Sequence, residues 1–552
     1  MIRTRIKQLL DKAFAQGVEQ GLWSDKGAGK FTVEMPKREG QGDYSTNMAM
    51  VLAGIERSNP RQLAEQLVGL LAADTGPIEK VEVAGPGFVN LFLKPEIWQQ
   101  VLVPVLTQQE QFGHSDIGAS RRVMVEFVSA NPTGPLSIGH GRQAILGDAI
   151  AKLLEATGHD VYREYYFNDA GRQMRVLGES TRARYRELQG LEFEFPEDGY
   201  QGDYIREIAQ SLLDSHGSTL SDHEDTLPFT ARAVEMIFKD ISGTLARMGI
   251  VFDNYYNEHT LYADGHIDNV VQELRDKGLV YEKDGAVWFK TTEFGHEQDR
   301  VIIKSTGEPT YRLPDIAYHR EKFRRGFDWL VDVFGSDHIA TVPDVMAGVT
   351  ALGYDSSQVT VVLHQFVTLL RDGRQVKMST RKATFITVDE LLDEVGADVV
   401  RFFFLMRKAD SQLEFDLDLA TKESHENPVY YVQYGHARLC SILRQAEEKG
   451  IVCPSLAEVD LSLLTQVEEL QLFKAMAAFP SIIEESALDL APHKVIYGLM
   501  DLAGLFHSYY NKHKVLTEDL ELCKARLTLV LGIRQVFANG LGILGLKAPE
   551  RM

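Results

Sequence analysis

The chain is short of cysteine, of basic charge and of long apolar runs. Its three cysteines, Cys440, Cys453 and Cys523, fall in about the last fifth of 552 residues. None stands in a Cys-x-x-Cys pair or beside a histidine pair at zinc-ligand spacing, which argues against a disulfide framework, a thiolate zinc site or any other metal ligand set. No apolar run approaches the roughly 18 residues of a membrane span. The opening residues, MIRTRIKQLLDKAFAQG, alternate polar and apolar at helical spacing and lack a signal peptide's continuous apolar centre. A cytoplasmic protein with no membrane partner is therefore expected. Lys and Arg number 58 against 79 Asp and Glu, a net charge of -21. That excess argues against indiscriminate nucleic-acid binding and against DNA as a partner, yet it allows a local basic patch such as RDGRQVKMSTRK at 371–382.

What is present is ordinary for a globular protein: 44% hydrophobic and 25% charged residues. The length suggests about three domains. Residues 1–115 alternate helix and strand signals, with KFTVEM as a strand, PRQLAEQLVGLLAAD as a helix opening on a proline, and KVEVAGPGFVNLFL as two strands around a Gly-Pro-Gly turn. They read as a small α/β domain. Residues 118–390 carry the strands of a central sheet, interrupted at about 175–235 by helical, acidic stretches that read as an insertion. DWLVDVFG and VTVVLHQF are continuous enough to be buried parallel strands, and Asp372-Gly373 lies between two extended runs as a hairpin turn. Residues 391–552 read as an almost wholly helical bundle, with Asn427-Pro428 opening one long helix.

The organising stretch runs from Val123 to Gly171. Val123–Val128 is a β-branched strand, Asn131–Pro135 a breaker, and Ile145, Leu146, Ala149, Ile150, Leu153 and Leu154 recur at helical spacing until Gly158. This strand-loop-helix-strand order predicts a parallel sheet, with a ligand at the loop that enters the helix. SIGHGR stands at that loop. Gly139 and Gly141 would allow close backbone approach, and His140 and Arg142 add donors suited to phosphate at a helix N-terminus. A single histidine beside a helix start is also a common capping or packing residue. A second basic loop, VKMSTRK, carries Lys377, Ser379, Thr380 and Arg381 some 240 residues further on.

SIGH and KMSTR, in this order around an α/β sheet that precedes a helical domain, resemble the HIGH and KMSKS signatures of class I aminoacyl-tRNA synthetases. EFVSANPTGPLSIGHGR, YYFNDAG, GDYSTN, GPGFVN, ENPVYYVQYGHAR, FHSYYNKHKVL and APERM narrow the resemblance to the arginyl-tRNA synthetase family. It implies an α/β fold: a Rossmann-type parallel-sheet catalytic domain, a small N-terminal α/β module for tRNA, and a C-terminal helical anticodon-binding bundle. It implies ATP-dependent activation of L-arginine, with Mg2+ on the phosphates, and transfer to the terminal ribose of tRNA(Arg) by a monomer. Ser137, Gly139, His140, Lys377, Ser379, Thr380 and Arg381 match the ATP side, with His140, Lys377 and Ser379 closest to the chemistry. Glu126, Asn131, Glu258, Tyr311 and Asp315 match the arginine side, where carboxylates meet a guanidinium. Tyr430, Gln433, Tyr434, Arg438 and Tyr509, with Tyr510 and Lys512 beside the last, match the tRNA side. Ser137 and Thr380 depart from the pattern, where the family keeps a histidine and a lysine. Another class I synthetase or nucleotidyltransferase, or a non-catalytic tRNA-binding paralogue, are the alternatives.

Overall fold

The computed structural model describes residues 2–36, 40–73, 76–376, 386–453 and 455–552. Helix α1 (Ile2–Glu19) buries Ile6, Leu10, Ala13 and Phe14 on one stripe, as its spacing predicts. Strands β1 (Val33–Glu34), β2 (Tyr44–Thr46), β3 (Ile78–Ala84) and β4 (Phe88–Leu93) form an antiparallel sheet in the order β1-β2-β4-β3, accompanied by α1, α2 (Met48–Glu56) and α3 (Pro60–Ala73). The next two helices, α4 (Pro95–Gln99) and α5 (Leu102–Gln108), lie inside the expected N-terminal domain but pack on the C-terminal helices. Gln99 Nε2 donates to the Leu464 carbonyl at 3.1 Å, and Asn539 Nδ2 donates to the carbonyls of Gln109 and Phe112 at 2.8 Å. Trp98, Leu102, Val105 and Phe112 bury their apolar surface there.

The central unit begins with β5 (Arg122–Glu126), α6 (Ile138–Ala156) and β6 (Asp160–Phe167). Three helices follow as the expected insertion, α7 (Gly171–Leu188), α8 (Asp203–His216) and α9 (Leu227–Arg247), packed mainly on one another. Next come β7 (Asn254–Asn257), α10 (His259–Ala263), α11 (His266–Asp276), and a small antiparallel sheet of β8 (Val280–Lys283), β9 (Ala286–Phe289) and β10 (Arg300–Ile303). Helix α12 (Arg312–Arg324), β11 (Trp329–Gly335), α13 (Val342–Ala351) and β12 (Val359–His364) complete it. The five strands pair in parallel, ordered β12-β11-β5-β6-β7. From β5 the chain builds outward in one direction, then returns to the other side of β5 with β11. That reversal opens a crevice at the carboxyl ends of β5 and β11. Helix α6 is buried on nearly every side, and a Cβ on Gly147 would lie 2.3 Å from Phe127 Cγ, so only glycine lets α6 approach so closely.

Strands β13 (Val367–Arg371) and β14 (Arg374–Gln375) form the expected hairpin, with Asp372 and Gly373 at φ +52° and +66°. Helices α14 (Val388–Val395) and α15 (Ala397–Leu405) come next, then β15 (Leu413–Asp416), which pairs parallel with β13 and interrupts the expected run of helices. A short α16 (Leu417–Ala420) leads into α17 (Pro428–Glu448), α18 (Val467–Leu488), α19 (His493–Lys512) and α20 (Leu520–Ile543). Asn427 Oδ1 caps α17 through the Val429 amide at 3.1 Å. Buried Arg401 fastens this helical region to the sheet: it donates to Asp148 of α6 at 2.6 Å, to the Leu544 carbonyl at 3.2 Å and to the Met248 carbonyl at 2.8 Å.

Candidate active site

Parallel register places Asp332, Glu126, Glu164 and Asn254 side by side across four strands. Three neighbouring carboxylates on one face would repel, and α12 lies over them with matching cations. Lys322 Nζ meets Glu126 Oε2 at 2.5 Å and Asp332 Oδ1 at 2.6 Å, fully buried. Arg325 grips both oxygens of Glu164 at 2.6 Å, and Tyr318 and Asn254 donate to the same carboxylate at 2.6 and 2.9 Å. His319 offers Nδ1 to the Asp315 carbonyl at 2.7 Å and Nε2 to Asp332 at 2.9 Å. Both ring nitrogens thus face acceptors. Burial alone would raise the Asp332 carboxyl, but Lys322 and His319 outweigh it and hold it well below the ordinary range.

Beyond Glu126 the chain turns sharply, with Val128 and Ser129 at φ +67° and +41°. A β-branched residue in this region is strained by about 1–3 kcal/mol. The turn brings Ser129 Oγ within 2.8 Å of Glu126 Oε1 and 3.1 Å of the Tyr166 amide. Both Glu126 oxygens are thus already engaged within the protein. Asn131 Nδ2 donates to Gln173 of α7 at 2.8 Å, which ties the loop to the insertion.

Asp315 sits in the first turn of α12, its carboxyl sunk among other acids. Burial pushes it up to about 7, with Glu126 and Glu258 adding to the shift and His319 opposing it. Glu258 is buried at the end of β7, its carboxyl raised chiefly by burial, and Tyr262 donates to it at 3.4 Å. The buried Tyr166 hydroxyl lies against the Glu258 carboxyl, which together with burial raises it. Carboxyls that share a pocket and have no salt bridge among the described residues suit a bound cation. Tyr311, one turn before Asp315, is 77% exposed at the α12 N-cap. Tyr166 and Tyr262 had been missed, since nothing in their local pattern separates them from core tyrosines.

Across the crevice, Ser137 is the N-cap of α6. Its Oγ accepts from the His140 amide at 3.5 Å, and its own amide donates to His140 Nδ1 at 3.3 Å. Burial lowers the His140 pKa, so the ring is neutral with its hydrogen on Nε2. By helix geometry the Ile138 and Gly139 amides have no acceptor within α6. Two expectations here change. Gly141 makes room for the protein rather than a ligand, since a Cβ there would lie 2.8 Å from Val388 Cγ2. Arg142 is buried and donates to the carbonyls of Gln365, Lys408 and Ser411 at 2.6–3.0 Å, which leaves it unavailable to phosphate. Lys377, Ser379, Thr380 and Arg381 lie outside the described residues. Thr387, just beyond them, pairs with Ser137, and the Val388 amide donates to the Leu136 carbonyl at 2.9 Å. GSDH, which begins on the last residue of β11, puts Asp337 and His338 at the same end of the sheet. Its sequence signal is a polar run directly after a buried strand.

A second surface lies on α17. Tyr430 and Tyr434 stack at 5.5 Å, and the Arg438 guanidinium lies over Tyr434 at 4.5 Å and over Tyr510 at 4.7 Å. Residues 430, 434 and 438 share one helical face. Gln433 does not join them: its amide is turned inward to Asp398 at 2.9 Å and to the Lys547 carbonyl at 3.0 Å. Tyr509 is corrected too, being 0% exposed in the bundle core, while Tyr510, about 100° further round α19, is the exposed neighbour. Lys512 pairs with Glu468 at 2.7 Å.

Three family profiles cover most of the sequence: "Arginyl tRNA synthetase N terminal domain" at residues 1–93, "tRNA synthetases class I (R), catalytic domain" at 101–403 and "DALR anticodon binding domain" at 432–552. An arginine–tRNA ligase of Desulfotalea psychrophila is 69% identical over the full length of both chains. That of Salinibacter ruber is 48% identical over 100% of this chain and 99% of its own. Among solved structures, an arginyl-tRNA synthetase from Campylobacter jejuni superposes with a TM-score of 0.77 at 30% identity, covering 83% of this chain and all of that one. The Thermus thermophilus enzyme superposes at 0.76 over all of both chains at 22% identity, a likeness of fold. A parallel sheet with a capped HIGH-type helix, an acid-lined pocket across the crevice and this full-length identity lead to one assignment: the chain belongs to the arginyl-tRNA synthetase family.

Proposed function

We propose that the chain charges tRNA(Arg): the carboxylate of L-arginine attacks the α-phosphate of ATP, pyrophosphate leaves, and the terminal ribose hydroxyl of the tRNA takes the arginyl group from the adenylate. The observation that carries this reading is the buried acidic pocket of Asp315 and Glu258 across the crevice from the N-terminus of α6. The pocket suits a planar cation that can meet two carboxylates, and the helix start suits phosphates. Neither step needs a nucleophilic side chain, since positioning and charge stabilisation supply most of the barrier lowering.

In this reading Asp315, Glu258 and Tyr311 hold the guanidinium, and Asn131 orients the substrate's backbone groups above Glu126. His140 offers Nε2–H to the nucleotide, Ser137 holds His140, and Gly139 lets the backbone approach. Lys377, Ser379, Thr380 and Arg381 belong to the same phosphate side by their motif. Among the described residues no group of three or more His, Cys, Asp or Glu could hold a metal ion. Mg2+ enters on the phosphates of ATP, as part of the substrate. Tyr430, Tyr434 and Arg438 present rings and a cation to unpaired tRNA bases and phosphates.

The deciding experiment is charging of tRNA with each amino acid, ATP and magnesium. Arginine alone should be attached, and no charging with any amino acid would overturn the reading. A monomer in the cytoplasm completes it, checked by a light-scattering mass near 62.0 kDa and by cell fractionation.

A further inference from the structure

The carboxyl ends of β11 and β12 hold a polar group that the motifs do not account for. His364, the last residue of β12, is 6% exposed, and its Nε2 is buried without a hydrogen-bond partner among the described residues. Its Nδ1 lies 3.3 Å from the Gln365 carbonyl. A carbonyl only accepts, so Nδ1 carries the hydrogen and Nε2 of the neutral ring is an acceptor. Burial pushes the imidazole down to about 4, with Arg142 and His140 pushing the same way, so the ring is neutral at pH 7. The Gln365 carbonyl is in turn held by Arg142 Nη1 at 2.6 Å. Arg142 of the SIGHGR motif thus fixes a carbonyl that fixes the tautomer of His364. Gly335 borders Nε2: a Cβ there would lie 3.9 Å from it and would collide with Asp337 Oδ1, so the glycine leaves room for the Asp337 carboxyl beside the ring. Phe366, two residues on, is 67% exposed.

A buried acceptor left unmatched is unfavourable, and a donor on a bound ligand would satisfy it. Ionised phosphate has no hydrogen to give. The donors of ATP lie on its nucleoside part: the 6-amino group of adenine and the ribose hydroxyls. We infer that His364 Nε2 accepts a hydrogen bond from the nucleoside part of ATP and helps to set nucleotide choice, with Arg142 as its positioning residue. A purine with oxygen at position 6 would set an acceptor against this acceptor. This inference rests on the ATP reading of the site above.

The test compares ATP, purine riboside triphosphate (which lacks the 6-amino group), 2′-deoxy-ATP and 3′-deoxy-ATP on the wild type, His364→Leu and His364→Gln. Aminoacylation kinetics are measured alongside equilibrium dialysis of each nucleotide. His364→Leu should raise KM for ATP about three- to tenfold, the weight of one neutral hydrogen bond, with KM for arginine unchanged. His364→Gln, whose Oε1 can accept, should recover much of the loss. On the analogue that lacks the group read by Nε2, wild type and His364→Leu should coincide: the purine riboside if adenine is read, one deoxy analogue if the ribose is. An unchanged KM for ATP, or an equal loss on every nucleotide, overturns the inference. His364→Phe carries the comparison if the Leu variant does not fold. A wild type that binds ATP but charges nothing would instead overturn the functional reading, since dialysis reads the inference independently.

Discussion

The backbone N–H of Ser137 points at Nδ1 of His140 across 3.3 Å, while Ser137 Oγ accepts from the His140 amide. One residue therefore caps α6 and orients its imidazole. Serine is among the preferred N-cap residues and histidine is not, which gives a physical reason for a serine where relatives of this motif carry a histidine. Ser137→Ala should cost about 1 kcal/mol of stability, read as a lower urea midpoint. Ser137→Asp should keep that stability, because aspartate also caps, yet raise KM for ATP by placing negative charge beside the phosphates. If Ser137→Asp weakens stability and leaves KM unchanged, the cap is not what Ser137 provides.

Asp315 gives the arginine site a pH dependence with a defined sign. Its folded-state pKa of about 7 lies above its ordinary value, so the folded chain keeps a proton that the unfolded chain releases near pH 4. This group therefore lowers stability as pH rises from about 4 to 7. Arginine favours the ionised carboxylate, so KM for arginine should fall as pH rises towards about 7 and level off above it. Calorimetric titration near neutral pH in buffers of different ionisation enthalpy should detect a proton released on binding. Asp315→Asn should abolish that release and raise KM for arginine at least tenfold with KM for ATP little changed.

Lys322 Nζ bridges Glu126 and Asp332 as a single atom, and it is fully buried. Lys322→Met would take the shared ammonium from two neighbouring buried carboxylates, leaving Asp332 to His319 and Glu126 to Ser129. Breaking a buried pair from one side typically costs about 3–5 kcal/mol. The stability contribution of Asp332, present above its unfolded pKa, is lost as pH falls through its depressed folded pKa, so wild type should weaken towards strong acid. In the variant this acid-side loss should be smaller. Denaturant midpoints across pH measure both effects.

Tyr434 and Tyr509 separate surface from core. Tyr434→Ala should weaken charging through a higher KM for tRNA, with a base-stacking contribution of about 1–3 kcal/mol, and leave the thermal midpoint nearly unchanged. Tyr509→Ala should do the reverse: a loss of about 3–5 kcal/mol of stability, like other buried aromatic truncations, with KM for tRNA unchanged in the folded fraction.

Helix patterns that faced one partner were legible from residues alone. The apolar spacing of α6, the Asp-Gly hairpin at 372–373 and the Asn-Pro start of α17 each follow from local chemistry that neighbours do not overrule. The SIGH and KMSTR motifs, with the text around them, also carried the family. Burial of polar residues was not legible. In YHREKFR, Tyr318, His319 and Lys322 are buried because parallel register lines up Asp332, Glu126 and Glu164 beneath them. Arg142 looked like a phosphate ligand until three carbonyls from 365, 408 and 411 closed on it. Local pattern sets which element forms. Which charges meet is decided by strands and loops far apart in sequence, since a buried ion is tolerated only where the fold delivers its partner.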